Sequence, residues 1–136
     1  MQLPFTGSCA CGAVRYSCSA KPVAMFKCHC RDCQRATGGG AACVVYAPLS
    51  AFAVTQGALR YHYTPGLDGI PNKRGFCETC GSPMTGGETE TEIGIHAASL
   101  DDPSWFRPRM HVHVTDAQPW DYLDPDLPRF DLYPNT

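Results

Sequence analysis

Three short stretches of the chain concentrate sulfur. Cys9 and Cys11 stand in GSCACG, Cys28, Cys30 and Cys33 in CHCRDC, and Cys77 and Cys80 in FCETCGS. Thiolates two or three residues apart converge on one ion from a tight turn, and two such turns supply a tetrahedral Zn2+ site with bonds of about 2.3 Å. Gly12 and Gly81 follow the first and last groups, where the backbone must fold beneath the sulfurs. The outer groups together offer four ligands, Cys9, Cys11, Cys77 and Cys80. They predict a closed, structural zinc that clips the start of the chain to its middle. Its binding energy becomes folding energy, on the order of 10 kcal/mol for small zinc modules. The middle group is left with three thiolates, Cys28, Cys30 and Cys33. Three protein ligands with one open position are the pattern of a catalytic zinc.

The same residues admit other chemistry. Nine cysteines are an odd number, and the start MQLPFTGSCACG lacks the charged and apolar stretches of a signal peptide. A reducing, cytoplasmic setting is therefore expected, and disulfides are the weaker reading. An iron–sulfur cluster wants four cysteines on one centre. A redox pair at Cys30 and Cys33 lacks a βαβ context. Two alternatives stay open for the middle group: a second structural zinc with His29 or a distant histidine as fourth ligand, and a sensor that releases zinc on oxidation. Cys18 and Cys43 stand alone in β-like runs and read as buried thiols. His29, between two ligands, should point away from them. His111 and His113 share a strand face by the two-residue period, and His62 and His96 read as structural. Arg31, Asp32, Arg35 and Thr37 flank the open site, with Arg35 the candidate to recognise an acidic ligand.

The elements that position these residues are short. Twelve prolines and thirteen glycines divide 136 residues, 43% of them apolar, which is one domain's worth of chain with enough apolar surface for a core. Strand signals recur at 13–18, 23–27, 40–47, 53–56, 58–64, 92–98 and 110–115. Val14, Tyr16 and Cys18 share one face, and Gly57 marks a turn. Helix is expected only at 31–37, ended by Gly38, and around 48–52. The class is mainly β, with one or two short helices. A single domain is expected over 1–136, with a matching core of about 6–120. Residues 121–136 should form a surface tail whose last residues are loose. Residues 65–74 and 85–91 are candidate rims of a pocket. The formal charge of −2 argues against nucleic acid as a partner. No apolar run approaches the roughly 20 residues of a membrane span.

GSCACGAVRY, CHCRDCQRATGGG, GFCETCGSPM and PRMHVHVTDAQPW, in that order, resemble the glutathione-dependent formaldehyde-activating family, in the superfamily of the centromere protein V domain. The likeness runs from about Thr6 to Trp120, and Pro108, His111 and Trp120 match its C-terminal pattern. It implies a β-tent of short antiparallel sheets stapled by two Zn2+. Cys9, Cys11, Cys77 and Cys80 would hold the structural zinc, and Cys28, Cys30 and Cys33 the catalytic one. It also implies a carbon–sulfur lyase that condenses formaldehyde with glutathione to S-(hydroxymethyl)glutathione. The partners would then be a small-molecule thiol and an aldehyde, with glutathione as co-substrate. The competing expectation is a non-catalytic, zinc-stapled β binding module with two structural zincs.

Overall fold

The computed structural model describes residues 1–134; the end of the expected loose tail, 135 and 136, lies outside the described residues. Ten strands and one α-helix occur among them. They are β1 (Phe5–Ser8), β2 (Arg15–Cys18), β3 (Ala24–Cys28), α1 (Arg31–Thr37), β4 (Ala42–Pro48), β5 (Phe52–Gln56), β6 (Arg60–Thr64), β7 (Asn72–Phe76), β8 (Pro83–Gly86), β9 (Glu92–His96) and β10 (His111–Val112). The mainly β class expected from the short alternating runs is the one found.

Strands β1, β2 and β5 form a small antiparallel sheet, and the others form a seven-stranded sheet in the order β10-β3-β4-β9-β8-β7-β6. Among the described strands only the short β10–β3 pair is parallel, with a parallel bridge from His111 to Arg129 beside it. The period of two decides what is buried. In β2, Tyr16 and Cys18 point inward while Arg15 and Ser17 stay half-exposed. Strand β4, between β3 and β9, buries Ala42, Val45 and Ala47. These residues belong to two apolar clusters. The larger gathers Phe5, Tyr16, Val45, Met84, Ile93, Ile95 and Leu100 with Cys9, Cys18 and Cys77. The smaller holds Cys28, Cys33, Ala42 and Val112, with Phe26, Val44, Met110 and Phe130 packed on it. Each of the first two thiol groups named above is thus rooted in its own apolar cluster.

Helix α1 has seven residues, too few to persist in water alone. Its ends are satisfied locally. The Cys30 sulfur accepts from the Cys33 N–H at 3.2 Å, as an N-cap side chain does. Gly38 closes the helix at φ +77° and donates its N–H to the Gln34 carbonyl at 2.8 Å. Gln34 then ties the helix to the fold, donating to the carbonyls of His29 at 2.6 Å and Asp116 at 2.9 Å.

Several expectations are corrected. The strand expected over 110–115 stops at Val112, because His113 turns left-handed (φ 56°) and a 3-10 turn, Val114–Asp116, follows. His111 and His113 therefore do not share a strand face; His113 packs its ring edge-on against Tyr133, 4.7 Å between centroids. The 48–52 helix is a 3-10 turn over Leu49–Ala51. Cys18 is fully buried but Cys43 only partly so. Phe130 packs on the smaller apolar cluster, and the Phe130 N–H donates to the His111 carbonyl at 3.0 Å.

Candidate metal centres

The outer cysteines come from two turns with one design. The N–H of Cys9 donates to the Val14 carbonyl at 3.0 Å and that of Gly12 to the Cys9 carbonyl at 3.2 Å. In the second turn the Cys77 N–H donates to Ser82 at 3.0 Å and the Gly81 N–H to Cys77 at 2.8 Å. Gly12 and Gly81 both sit at φ +79°, a conformation costly for residues with a Cβ. The turns bring four sulfurs together. Cys9 Sγ is 3.6 Å from Cys11 Sγ, and Cys11 Sγ is 3.8 Å from Cys77 Sγ. A tetrahedron with metal–sulfur bonds of about 2.3 Å has edges of about 3.8 Å, so the spacing fits zinc. A disulfide would need about 2.05 Å, and all nine cysteines are free.

Neighbouring donors ready this site for a cation. The Val14 N–H donates to Cys9 Sγ at 3.2 Å. Ser82 accepts from the Ala10 N–H at 2.9 Å and lies 3.1 Å from Cys80 Sγ, bridging the two turns. The Ser82 hydroxyl and backbone hold the Cys80 thiol down at about 5, the direction that favours the thiolate a metal ligand needs.

In the middle group, Cys28 ends β3, Cys30 caps α1 and Cys33 lies in its first turn. Their three sulfurs lie within 4.8 Å of one another. Cys28 and Cys33 are buried and Cys30 is half-exposed. The Cys28 and Cys30 thiols, with the Arg74 guanidinium, hold Cys33 down at about 3. The Cys28 thiol is pushed far up by hydrogen bonds to Cys30 and Cys33. Three sulfurs this close make a donor set that fits zinc, a divalent ion that binds thiolates. Among the described residues the two metal-competent groups contain four and three cysteines, the partition read from spacing.

His29 faces elsewhere, as expected from its place between ligands. It is fully buried, with Nε2 2.8 Å from His111 Nδ1 and Nδ1 3.5 Å from Asp121 Oδ2. Burial holds both imidazoles below their ordinary range. Asp121 reaches His29 across Gly40, where a Cβ would lie 2.4 Å from the Asp121 Cγ. That contact explains the last glycine of ATGGG.

A cavity of about 300 Å³ opens between α1 and strands β6 to β9, lined by residues that include Ala36, His62, Arg74, Phe76, Thr85 and His96. It adjoins the middle group through Arg74, whose Nη2 is 3.5 Å from Cys33 Sγ. Burial, with Arg74 nearby, pushes His96 down to about 4, so its ring is neutral. Of the expected rim segments, 72–74 are in β7 and 85–86 in β8; Arg74 of the first and Thr85 of the second line the cavity. Arg35 stands exposed in the last turn of α1, next to Ala36 of the cavity lining. Arg74 lies within the expected 65–74 rim, but its contact with Cys33 has no signal in the sequence beyond its place three residues before Cys77 in RGFCETC; nothing local marks His96 or Asp121 as site neighbours.

Comparison with known proteins gives three findings. The family model described as glutathione-dependent formaldehyde-activating enzyme matches residues 4–116. A curated relative from Halomonas elongata, provisionally named a glutathione-dependent formaldehyde-activating enzyme, is 32% identical over 113 residues, covering 79% of this chain and 72% of the relative. A crystal structure of a Rhodobacter sphaeroides protein superposes with a TM-score of 0.59 at 22% identity, covering 92% of this chain and 98% of that one; at that identity the likeness is one of fold.

Proposed function

The chain belongs to the glutathione-dependent formaldehyde-activating family, and on that premise we propose that it is a zinc-dependent carbon–sulfur lyase acting on a thiol adduct. The reaction is that of an S-(hydroxymethyl)glutathione synthase, joining formaldehyde and glutathione. One observation carries this reading: three sulfurs, not four, converge beside a cavity. Cys9, Cys11, Cys77 and Cys80 hold a structural zinc, and Cys28, Cys30 and Cys33 hold a zinc with room for a fourth ligand. That ion, when bound, favours the thiolate form of an incoming thiol and can polarise an aldehyde oxygen.

In the addition the thiol's proton passes to solvent, its sulfur bonds to the carbonyl carbon, the C=O π pair moves to oxygen, and oxygen takes a proton back from solvent. The reverse breaks the C–S bond. The cavity over β7–β9 receives the organic part of the adduct, and Arg35 offers a guanidinium to a carboxylate of the thiol. Small molecules are therefore the partners, rather than nucleic acid, which the net charge of −2 disfavours. No helix among the described residues is long and apolar enough to cross a membrane. Nine free cysteines suit the reducing cytoplasm, and the whole chain acts as one zinc domain.

The test is metal analysis of fresh protein together with calorimetric titration of glutathione. Two zincs and stoichiometric, zinc-dependent glutathione binding, abolished in Cys30→Ser, are expected, followed by formaldehyde turnover. Two zincs that resist chelation until the protein unfolds, with no affinity for glutathione, would refute the lyase and favour a binding module with two structural zincs.

A further inference from the structure

Arg74 is an unusual occupant of a central strand. It lies on β7, between β6 and β8, and its side chain is 5% exposed. A buried guanidinium is tolerated only when paired and hydrogen-bonded. Here the partner is Asp32, whose Oδ2 accepts from Arg74 Nε at 3.0 Å and Nη2 at 2.6 Å. The same oxygen accepts from Thr64 Oγ1 at 2.8 Å and Asn72 Nδ2 at 3.1 Å. Asp32 is therefore fixed from β6 and β7, and the guanidinium it holds is fixed in turn.

The direction in which Asp32 aims Arg74 matters. Asp32 precedes Cys33 in the first turn of α1. The helix turn that presents the sulfur also presents the carboxylate that aims the cation at it, and Nη2 lies 3.5 Å from Cys33 Sγ, within reach of an N–H···S contact. We propose that Arg74 is a positioning residue of the middle centre: it donates to the Cys33 sulfur, held by Asp32, and so sets how strongly that sulfur donates to a bound metal. The proposal rests on the reading of Cys28, Cys30 and Cys33 as a metal centre, but not on the choice of substrate.

The physical effect follows from charge. Three thiolates and a divalent ion carry a net charge of −1. An N–H···S bond draws density from the sulfur, weakens it as a donor and leaves the metal more acidic toward whatever takes the remaining position. The Arg74–Asp32 pair supplies this with no net charge of its own. Arg74 is also a wall of the cavity, so the residue that tunes the metal also borders the space open to a ligand. A merely structural ion pair would brace α1 against β7 without affecting the metal's electronic state.

Cobalt(II) replaces zinc in such sites and reports sulfur donation directly in its sulfur-to-metal charge-transfer bands. The experiment compares cobalt-loaded wild type with Arg74→Met, Arg74→Lys, and the double variant Asp32→Asn, Arg74→Met, which buries no unpaired charge if the single variant fails to fold. Cys30→Ser identifies the bands of the middle centre. The expected result is a shift of those bands to lower energy in Arg74→Met or the double variant, with the outer bands unmoved and a partial return in Arg74→Lys. Superimposable spectra in folded, doubly loaded protein would overturn the proposal while leaving the metal centre intact. A wild type that takes up one cobalt, with a spectrum unchanged by Cys30→Ser, would instead remove the centre, and the proposal with it.

Discussion

Replacing one cysteine of each cluster by serine should separate a cross-link from a local site. In the outer group, Cys77 and Cys11 are 66 residues apart, and the proposed shared ion would close that loop. Treated as a cross-link, a loop of this length removes about 4 kcal/mol of entropy from the unfolded chain. A domain of this size has roughly 5–15 kcal/mol in hand, so Cys77→Ser should lose much of it. The Cys77 side chain is also buried at 1% exposure, where a weaker ligand has little freedom to be replaced by water. The middle group closes a loop of only a few residues within β3 and α1. Cys30 is half-exposed and caps the helix through its side chain, a role serine fills well. Cys30→Ser should therefore cost no more than about 1 kcal/mol by this route. Urea unfolding of zinc-saturated protein, with metal counted on each variant, measures both. We expect Cys77→Ser to show a midpoint far below wild type or no folded baseline. Cys30→Ser should unfold near wild type with one zinc instead of two. Equal losses in the two variants, or collapse of Cys30→Ser, would refute the division into a clip and an open centre.

Acid should weaken the fold through His96. Its folded pKa is pushed down to about 4 from 6.5, so below 6.5 the unfolded chain takes up the proton first. Stability is full above that point and falls as the pH drops toward 4, by about 3 kcal/mol. Denaturant unfolding of zinc-saturated wild type and His96→Gln between pH 7.5 and 5 should show a steeper fall in wild type; parallel curves would exclude His96 as the cause. Gly40→Ala places a Cβ within 2.4 to 2.8 Å of the Asp121 side chain, so the variant should lose about 1–3 kcal/mol. Adding Asp121→Ala should recover part of that loss, and a double-mutant cycle by thermal unfolding detects the coupling.

The parts of this molecule legible in its sequence are those whose causes are local. Strand β2 shows its buried face because alternation is a short-range pattern, and α1 ends where Gly38 permits a left-handed residue. The thiol groups are legible because knuckle ligands must be neighbours in the chain. Strands β7 and β8, NKRGF and PMTG, are not: they carry glycine, proline and charge, and become strands only by pairing with β6 and β9. Arg74 falls in an expected pocket rim, but its burial is explained only by Asp32, 42 residues away. The early end of β10 follows from the left-handed His113, which no local turn residue announces. His29 and Asp121 meet only because Gly40 leaves space between distant segments.

The long span of the outer clip also bears on how the protein is made. Cys11 leaves the ribosome 66 residues before Cys77, roughly 3–13 s earlier at about 5–20 residues per second. During that interval the emerging thiols are Cys9, Cys11, Cys18, Cys28, Cys30, Cys33 and Cys43. Seven sulfurs are then available, and any four of them can occupy an ion before Cys77 and Cys80 exist. A chain that has bound an ion in this way reaches the proposed four-and-three arrangement by ligand exchange once Cys77 and Cys80 arrive. Newly made protein in zinc-rich cells would pass through a wrongly clipped intermediate, and the rate at which thiolates trade places on the ion would limit its maturation.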